Sequence, residues 1–454
     1  MDSSKKTTFI LLAFFVTATL SLRLYLIWQH GSYLPFWDQW DAEADLLYKP
    51  LLLGNYTWDH LIAPHVDHRI IATRLIDMVL FWFVGWNPLV QMTFNITFHI
   101  FAMTLLLFFV IRHQGITFQI MTIAFALLLF MIPFGSENIL WGFQSQIYLS
   151  ILFAVAALWV GTGNPPLSRH WFTGLLLGFC AFYSFASGIF VFFALTCVIA
   201  LQSLIAHKIT IRDVIAATIT IALFVLLYRS MPHVVQNDIL KAPTIGAWFQ
   251  ALCKILVWPV SEKSHTLGIL IYLPAAVFTI MLLWRKIAAD RLNLFLVALL
   301  CWCLGIAASI AYGRYQEPLA SRYMDFWLTG ILANFAMLML MVFNSPWRGR
   351  MMRSCATIWA VVMVYATIYA AGHSVLDRLK GQIALTRLGE QNVIHYLCTG
   401  DSGALQKHIP YPDPQRLQSF LDDKTIVRVL PEGFMRMVNC QQPATSITPP
   451  LPSQ

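Results

Sequence analysis

Polar and apolar positions segregate coarsely along this chain: long apolar runs are separated by short polar stretches. A helix needs about 20 mostly apolar residues to cross a bilayer, with about 17–25 the usual range. Runs of this kind lie at residues 7–28, 92–111, 117–134, 146–160, 171–185, 188–206, 214–228, 267–284, 294–312, 326–343 and 357–371. They predict an all-α polytopic membrane protein with about 11 transmembrane helices. The shorter runs need flanking residues or a thinner patch of bilayer. The first run has the position of a secretory signal. Its apolar stretch is long, however, and Arg23 and His30 replace a small-residue cleavage site, so it reads as an anchor.

Residues 70–86 are apolar but interrupted. Arg69, Thr73 and Asp77 recur every four residues and form a polar stripe. Such a helix suits the interface rather than a span. With it interfacial, one face of the membrane receives Lys5, Lys6, Arg112, Arg169, Lys208, Arg212, Arg285, Lys286, Arg291, Arg348, Arg350 and Arg353. Only the acids Asp2, Asp213 and Asp290 join them there. The positive-inside rule makes that face cytoplasmic. The N-terminus is then inside and the C-terminus outside. The expected domains are the first helix (1–28), an outer acidic loop with interfacial helices (29–91), the helix bundle with an outer loop at 233–266 (92–372), and a small outer tail (373–454). The last residues, 448–454, are expected to be disordered.

Composition agrees with this pattern. The chain is 58% hydrophobic and 11% charged, with a mean hydropathy of +0.66. A soluble domain carries about 25% charged residues, so a soluble enzyme and a disordered chain are both excluded. The net charge of +8 is a topology signal and gives no reason to expect nucleic acid. Five of the eight cysteines fall in apolar runs or, for Cys355, two residues before one. Cys398 and Cys440 are the two in the outer tail, where an oxidising compartment would let them pair. Spacing alone leaves that pairing open.

Because charge is scarce, its clusters carry information. The first loop holds Trp37, Asp38, Trp40, Asp41, Glu43 and Asp45, then Asp59, His60, His65, Asp67, His68 and Arg69. Indole faces pack on sugar rings and carboxylates accept hydroxyl protons, so the cluster suits sugar binding, and one carboxylate can act as a base. Taken singly, each residue fits an interfacial aromatic belt equally well. His60, His65 and His68 with Asp67 have the side chains for a divalent metal, although no strong metal motif is present; histidines that only hydrogen-bond are preferred. A second tip runs from Ser136 through Glu137 and Trp141 to Gln144 and Gln146, and Glu137 is the sole acid between Asp77 and Asp213. A third tip holds Arg314, Glu317, Arg322, Tyr323 and Asp325. Arginine is the usual bidentate partner of phosphate, so Arg314 and Arg322, with Tyr323, are candidates for a donor phosphate. No phosphate-binding glycine loop and no G-x-S-x-G motif occurs.

Trp37-Asp38-Gln39-Trp40-Asp41, Glu137-Asn138-Ile139-Leu140-Trp141-Gly142-Phe143-Gln144, His65-Val66-Asp67-His68-Arg69, Ser184-Phe185-Ala186-Ser187-Gly188 and Ser321-Arg322-Tyr323 together resemble the C-type (GT-C) integral-membrane glycosyltransferases, in particular a bacterial subgroup. The resemblance covers roughly the whole membrane region. It implies a GT-C-like fold and inverting transfer of a sugar from a polyprenyl-phosphate donor, on the periplasmic side of a bacterial inner membrane. The implied acceptor is an envelope glycan or glycolipid such as lipopolysaccharide O-antigen. It maps Asp38, with Asp41 as rival, and Glu137 to catalytic positions. Arg314, Arg322 and Tyr323 then face the donor phosphate. Trp37, Trp40, His65, Asp67, His68, Arg69 and Gln144 face sugar or acceptor. It implies no certain cofactor, with a divalent metal open, and a donor-sugar synthase and a flippase as pathway partners. Rival readings are an O-antigen polymerase or ligase, an acyltransferase, a lipid-sugar flippase and a non-enzymatic scaffold subunit.

Overall fold

Inside a bilayer no water satisfies the backbone, so the apolar runs must bond internally as helices. The computed structural model describes residues 3–263, 268–344, 349–438 and 440. Among these there is no strand; all regular structure is helical. Asp2, Arg348, residue 267 at the head of the eighth run and the terminal stretch 448–454 lie outside the described residues. In chain order the helices are α1 (Ser3–His30), α2 (Ile71–Val84), α3 (Pro88–Ile111), α4 (Ile116–Met131), α5 (Ser145–Thr162), α6 (Arg169–Phe182), α7 (Phe190–Ala206) and α8 (Ile211–Arg229). They continue with α9 (Ile245–Val257), α10 (Leu273–Leu283), α11 (Arg291–Gly313), α12 (Met324–Asn344), α13 (Arg350–Ala370), α14 (Leu376–Thr399) and α15 (Pro414–Asp422).

Eight helical stretches among the described residues are long and apolar enough to cross a membrane. They contain α1, α3, α5, α7, α8, α11, α12 and α13. The other three expected spans, α4, α6 and α10, are helical but only 16, 14 and 11 residues long. At about 1.5 Å per residue α10 reaches roughly half of the hydrocarbon thickness. The chain is therefore a multi-pass, all-helical membrane protein. Polar side chains start several of its helices: Asn87 accepts from the Val90 amide, Thr210 and Asp213 form a capping box, and Asp290 accepts from Asn293. Lipid gives helices little hydrophobic reason to associate, so small residues matter. At Gly174 an added Cβ would lie 3.0 Å from the Gly161 nitrogen, which marks a backbone-to-backbone approach of α5 and α6.

Helix α2 has the polar stripe expected from sequence, and the structure shows where it points. Thr73, Arg74 and Asp77 are buried against the protein, while Leu75, Val79, Trp82 and Phe83 are exposed. Its 14 residues span about 21 Å, too short to cross.

The first loop and the tail, read from sequence as separate segments, share one apolar core. Trp40, Tyr48 and Trp86 pack there with Val393, Tyr396, Leu417, Phe420 and Phe434. The expected boundary at residue 373 falls inside a continuous helix, Arg350–Thr399, which passes through a π-helical turn at Ala371–Val375. A Cys398–Cys440 disulfide closes the tail, with Cα atoms 5.1 Å apart. Loop and tail are also pinned by Lys49–Asp423 at 2.8 Å and by Arg416, which reaches Asp41 at 2.6 Å and Asp45 at 3.3 Å. This paired unit caps one end of the bundle. At the opposite end Arg112 and Arg291 stack on Trp159.

Candidate functional site

Under the cap lies a cavity of about 560 Å³. Most of its polar lining comes from three chain segments, with Ser187 from the turn before α7. The first loop supplies Trp37, Asp38, His65, Asp67 and His68; the turn into α5 supplies Trp141, Gln144 and Gln146; the turn between α11 and α12 supplies Arg314, Glu317, Arg322 and Tyr323. The apolar wall comes from helices, with Phe190 on α7, Phe224 and Tyr228 on α8, and Ile310 on α11, joined by Phe185 and Ile189. Helix α8 is peripheral, with Ile221, Val225 and Leu226 exposed on its outer face. The cavity therefore has a helical wall next to the lipid-facing surface.

Local backbone geometry aims the first-loop residues. Trp37 and Val66 both have φ near +50°, and both line the cavity. For bulky or β-branched residues this conformation is unfavourable and persists only where the surroundings enforce it. The Trp37 amide donates to the Pro410 carbonyl of the tail at 2.7 Å, so the tail helps to hold that turn. Val66 sits in a tight reversal, where the His65 and His68 amides each donate to the other's carbonyl at 2.7 and 3.0 Å. The reversal presents His65 and His68 to the same cavity.

Asp38 Oδ2 lies 3.6 Å from His65 Nε2. Burial pulls the Asp38 pKa upward, but the neighbouring His65 ring, with Arg322 and His68 beyond it, outweighs this and holds the carboxyl below its ordinary range. Asp38 is thus ionised at neutral pH. His68 is pushed down to about 4, first by desolvation and then by His65, so it is a neutral ring at that pH. Each arginine already has a carboxylate partner. Arg314 pairs with Asp67 at 3.0 Å, and Asn237 donates to the same Asp67 oxygen. Arg322 pairs with Glu137 at 3.4 Å. The Arg322 guanidinium also lies 5.2 Å from the centre of the Tyr323 ring.

Trp37, Asp38, His65, Asp67, His68, Gln144, Arg314, Arg322 and Tyr323 were all chosen from sequence, and all line this one cavity. Four other choices do not. Asp41 is held in the loop–tail interface by Arg416 and by the Tyr411 hydroxyl at 2.6 Å. Trp40 is fully buried, donates to the Pro35 carbonyl and stacks on Phe420, so it offers no face to a ligand. Arg69 donates to the Ser230 carbonyl at 2.7 Å. Glu137 stands behind Arg322 as its partner. Gln146, which reads from sequence as a hydroxyl binder or a cap of polar surface, also lines it, and sequence reasoning missed Trp141, Ser187 and Glu317 as lining residues. All four lie in stretches already notable for polar residues beside a span; nothing local marks which of them turn inward.

The side chains do not fit a metal. His60 is apart from His65 and His68, its Nδ1 engaged with Thr57 at 2.8 Å. Among the described residues no group of three or more His, Cys, Asp or Glu stands in a metal-holding arrangement. No known family model and no curated protein matches the chain.

Proposed function

We propose that the chain is a membrane glycosyltransferase that moves a sugar from a polyprenyl-phosphate carrier to a hydroxyl of a cell-envelope glycan, such as lipopolysaccharide O-antigen. Its working side would be the periplasmic face of a bacterial inner membrane. The observation that carries this reading is the make-up of the cavity: an ionised carboxylate, two arginines and indole faces meet a wall of apolar side chains beside a peripheral helix. That division suits an amphiphile whose head is a sugar phosphate and whose chain is apolar.

The chemistry follows from those groups. The Asp38 carboxylate takes the proton of the acceptor hydroxyl as its oxygen bonds to the anomeric carbon. The bond from that carbon to the phosphate oxygen breaks, and its electron pair leaves with the polyprenyl phosphate. The centre inverts. The phosphate gains one negative charge, which Arg314 and Arg322 stabilise. His65 orients the carboxylate and keeps it ionised. Among the described residues no group of side chains is arranged to hold a metal, and no step is assigned to one.

The test is transfer by the full chain in nanodiscs from synthetic polyprenyl-phosphate sugars. Asp38→Asn should lower the rate by about 10²–10⁴-fold, the usual range for a general base. Undiminished transfer in that variant overturns the assignment. A polymerase or ligase is the second reading, favoured by two arginines in a late loop. It would use a lipid-linked glycan and ignore single-sugar donors, so the same assay separates the two.

A further inference from the structure

Several polar atoms around the cavity have no partner within the protein. Gln144 and Gln146 are more than nine-tenths buried, yet the side-chain oxygen of each is without a hydrogen bond. The indole nitrogen of Trp141, the hydroxyl of Ser187 and Nδ1 of His68 are buried and unpartnered in the same way. All five residues line the one cavity. An unsatisfied buried polar atom costs about 1–3 kcal/mol, so a cluster of them just behind the wall of one cavity marks groups that a small side-chain rotation would bring onto a ligand or water there.

The backbone that carries these side chains is fixed by other residues. Asn95 donates to the Gly142 carbonyl at 2.7 Å, and the Ser145 hydroxyl donates to Thr73 at 2.8 Å. The two glutamine carboxamides are therefore not needed to hold the turn. The five unpartnered atoms sit on uncharged groups: two carboxamides, an indole, a hydroxyl and an imidazole. They supply both donors and acceptors, as a ring bearing several hydroxyls requires. Trp37 stacks on Trp141 with centroids 6.3 Å apart, which adds an aromatic surface beside them.

We infer that Trp141, Gln144, Gln146, Ser187 and His68 form the subsite that reads the hydroxyls of an uncharged sugar ring, with Gln144 and Gln146 deciding which ring is accepted. The inference takes its ligand class from the transferase reading and goes further, to the kind of sugar. A charged uronic acid would meet no cationic side chain among these five residues, and Arg314 and Arg322 are assigned to the donor phosphate.

The test is binding, measured apart from transfer. The full chain in nanodiscs is titrated with citronellyl-phosphate glucose, galactose, mannose and glucuronic acid. The wild type should bind at least one neutral hexose tenfold or more tighter than the glucuronoside, since a site built to pair hydroxyls rejects a mismatched group strongly; the expected gap is on the order of tenfold or above. Gln144→Met and Gln146→Met keep length and bulk but remove the amide, and should collapse the spread among the three hexoses. Gln144→Glu is the second variant, in case a methionine disturbs folding; it should weaken every neutral glycoside by placing an anion in the subsite. Glucuronoside binding as tight as any hexose, no binding of any glycoside, or an unchanged hexose ranking in all three variants overturns the inference. A chain that binds with this discrimination but transfers nothing refutes the transferase reading alone. A chain that transfers while the variants keep the wild-type ranking refutes the subsite alone.

Discussion

Three residues of spacing separate Asp38 from Asp41 and Trp37 from Trp40, yet the two pairs have different surroundings. The positive φ at Trp37 turns that residue and Asp38 toward the cavity, and the π-helical stretch Trp40–Tyr48 that follows sends Trp40 into the loop–tail core. Asp41→Asn should therefore leave transfer near wild type. Its pair with Arg416 is partly exposed, so its loss should cost less than about 1 kcal/mol of stability, read as a small drop in melting temperature. A transfer defect matching that of Asp38→Asn would place Asp41 in the reaction instead. Gly142 makes a sharper structural case. An added Cβ would lie 2.7 Å from the Gln91 carboxamide oxygen and 2.8 Å from the Gln39 nitrogen. Gly142→Ala should destabilise by about 1–3 kcal/mol through overpacking, and a melting temperature unchanged from wild type would show that both glutamines can yield.

At the scale of elements, the contact between the first loop, α2 and the start of α3 is held by a buried polar network. Gln91 Nε2 donates to both Glu43 and Asp77 at 3.0 Å, Gln39 donates to Glu43 at 3.2 Å, and Trp86 donates to Glu43 at 2.7 Å. Burial pushes Glu43 up to about 7, opposed by its hydrogen bonds from Gln91, Gln39 and Trp86, and raises Asp77 in the same direction. A carboxyl whose folded pKa lies above its unfolded value binds its proton more tightly when folded. Its contribution to stability is complete below about pH 4.5 and is lost as pH rises through about 7. The melting temperature of the chain should fall between pH 5 and pH 8.5, and Glu43→Gln should flatten that slope. A wild-type profile that rises over this interval would contradict the assignment. The sequence announced α2 through its four-residue polar repeat, because that repeat is a local property. It did not announce that the stripe would be buried, since the partners Leu61, Ala63, Gln91 and Ser145 come from other segments.

Across the whole molecule, what could be read in advance was whatever the bilayer dictates. Span length is set by the solvent, so the long apolar helices, eight of them among the described residues, follow from composition along the chain. The cavity was legible for a related reason: a charge beside a span is costly, so the few retained ones gather, and Asp38, Asp67, Arg314 and Arg322 did. Long-range pairing was not legible. Arg416 meets Asp41 across 375 positions, and no local pattern distinguishes an acid held in this way from one facing a cavity. The same loop–tail unit supplies a test of orientation. Structural disulfides persist in oxidising compartments, and Cys398–Cys440 lies in the tail that charge asymmetry places outside. The remaining described cysteines, Cys180, Cys197, Cys253, Cys301, Cys303 and Cys355, are free. Cells quenched in acid, then denatured and treated with a maleimide polymer, should yield a protein carrying six adducts without reductant and eight with it. Eight adducts before reduction would put the tail on the reducing side, and the cavity with it. The proposed acceptor would then have to be cytoplasmic, because the Trp37–Pro410 hydrogen bond and the Asp41–Arg416 pair hold the Asp38 turn to the tail.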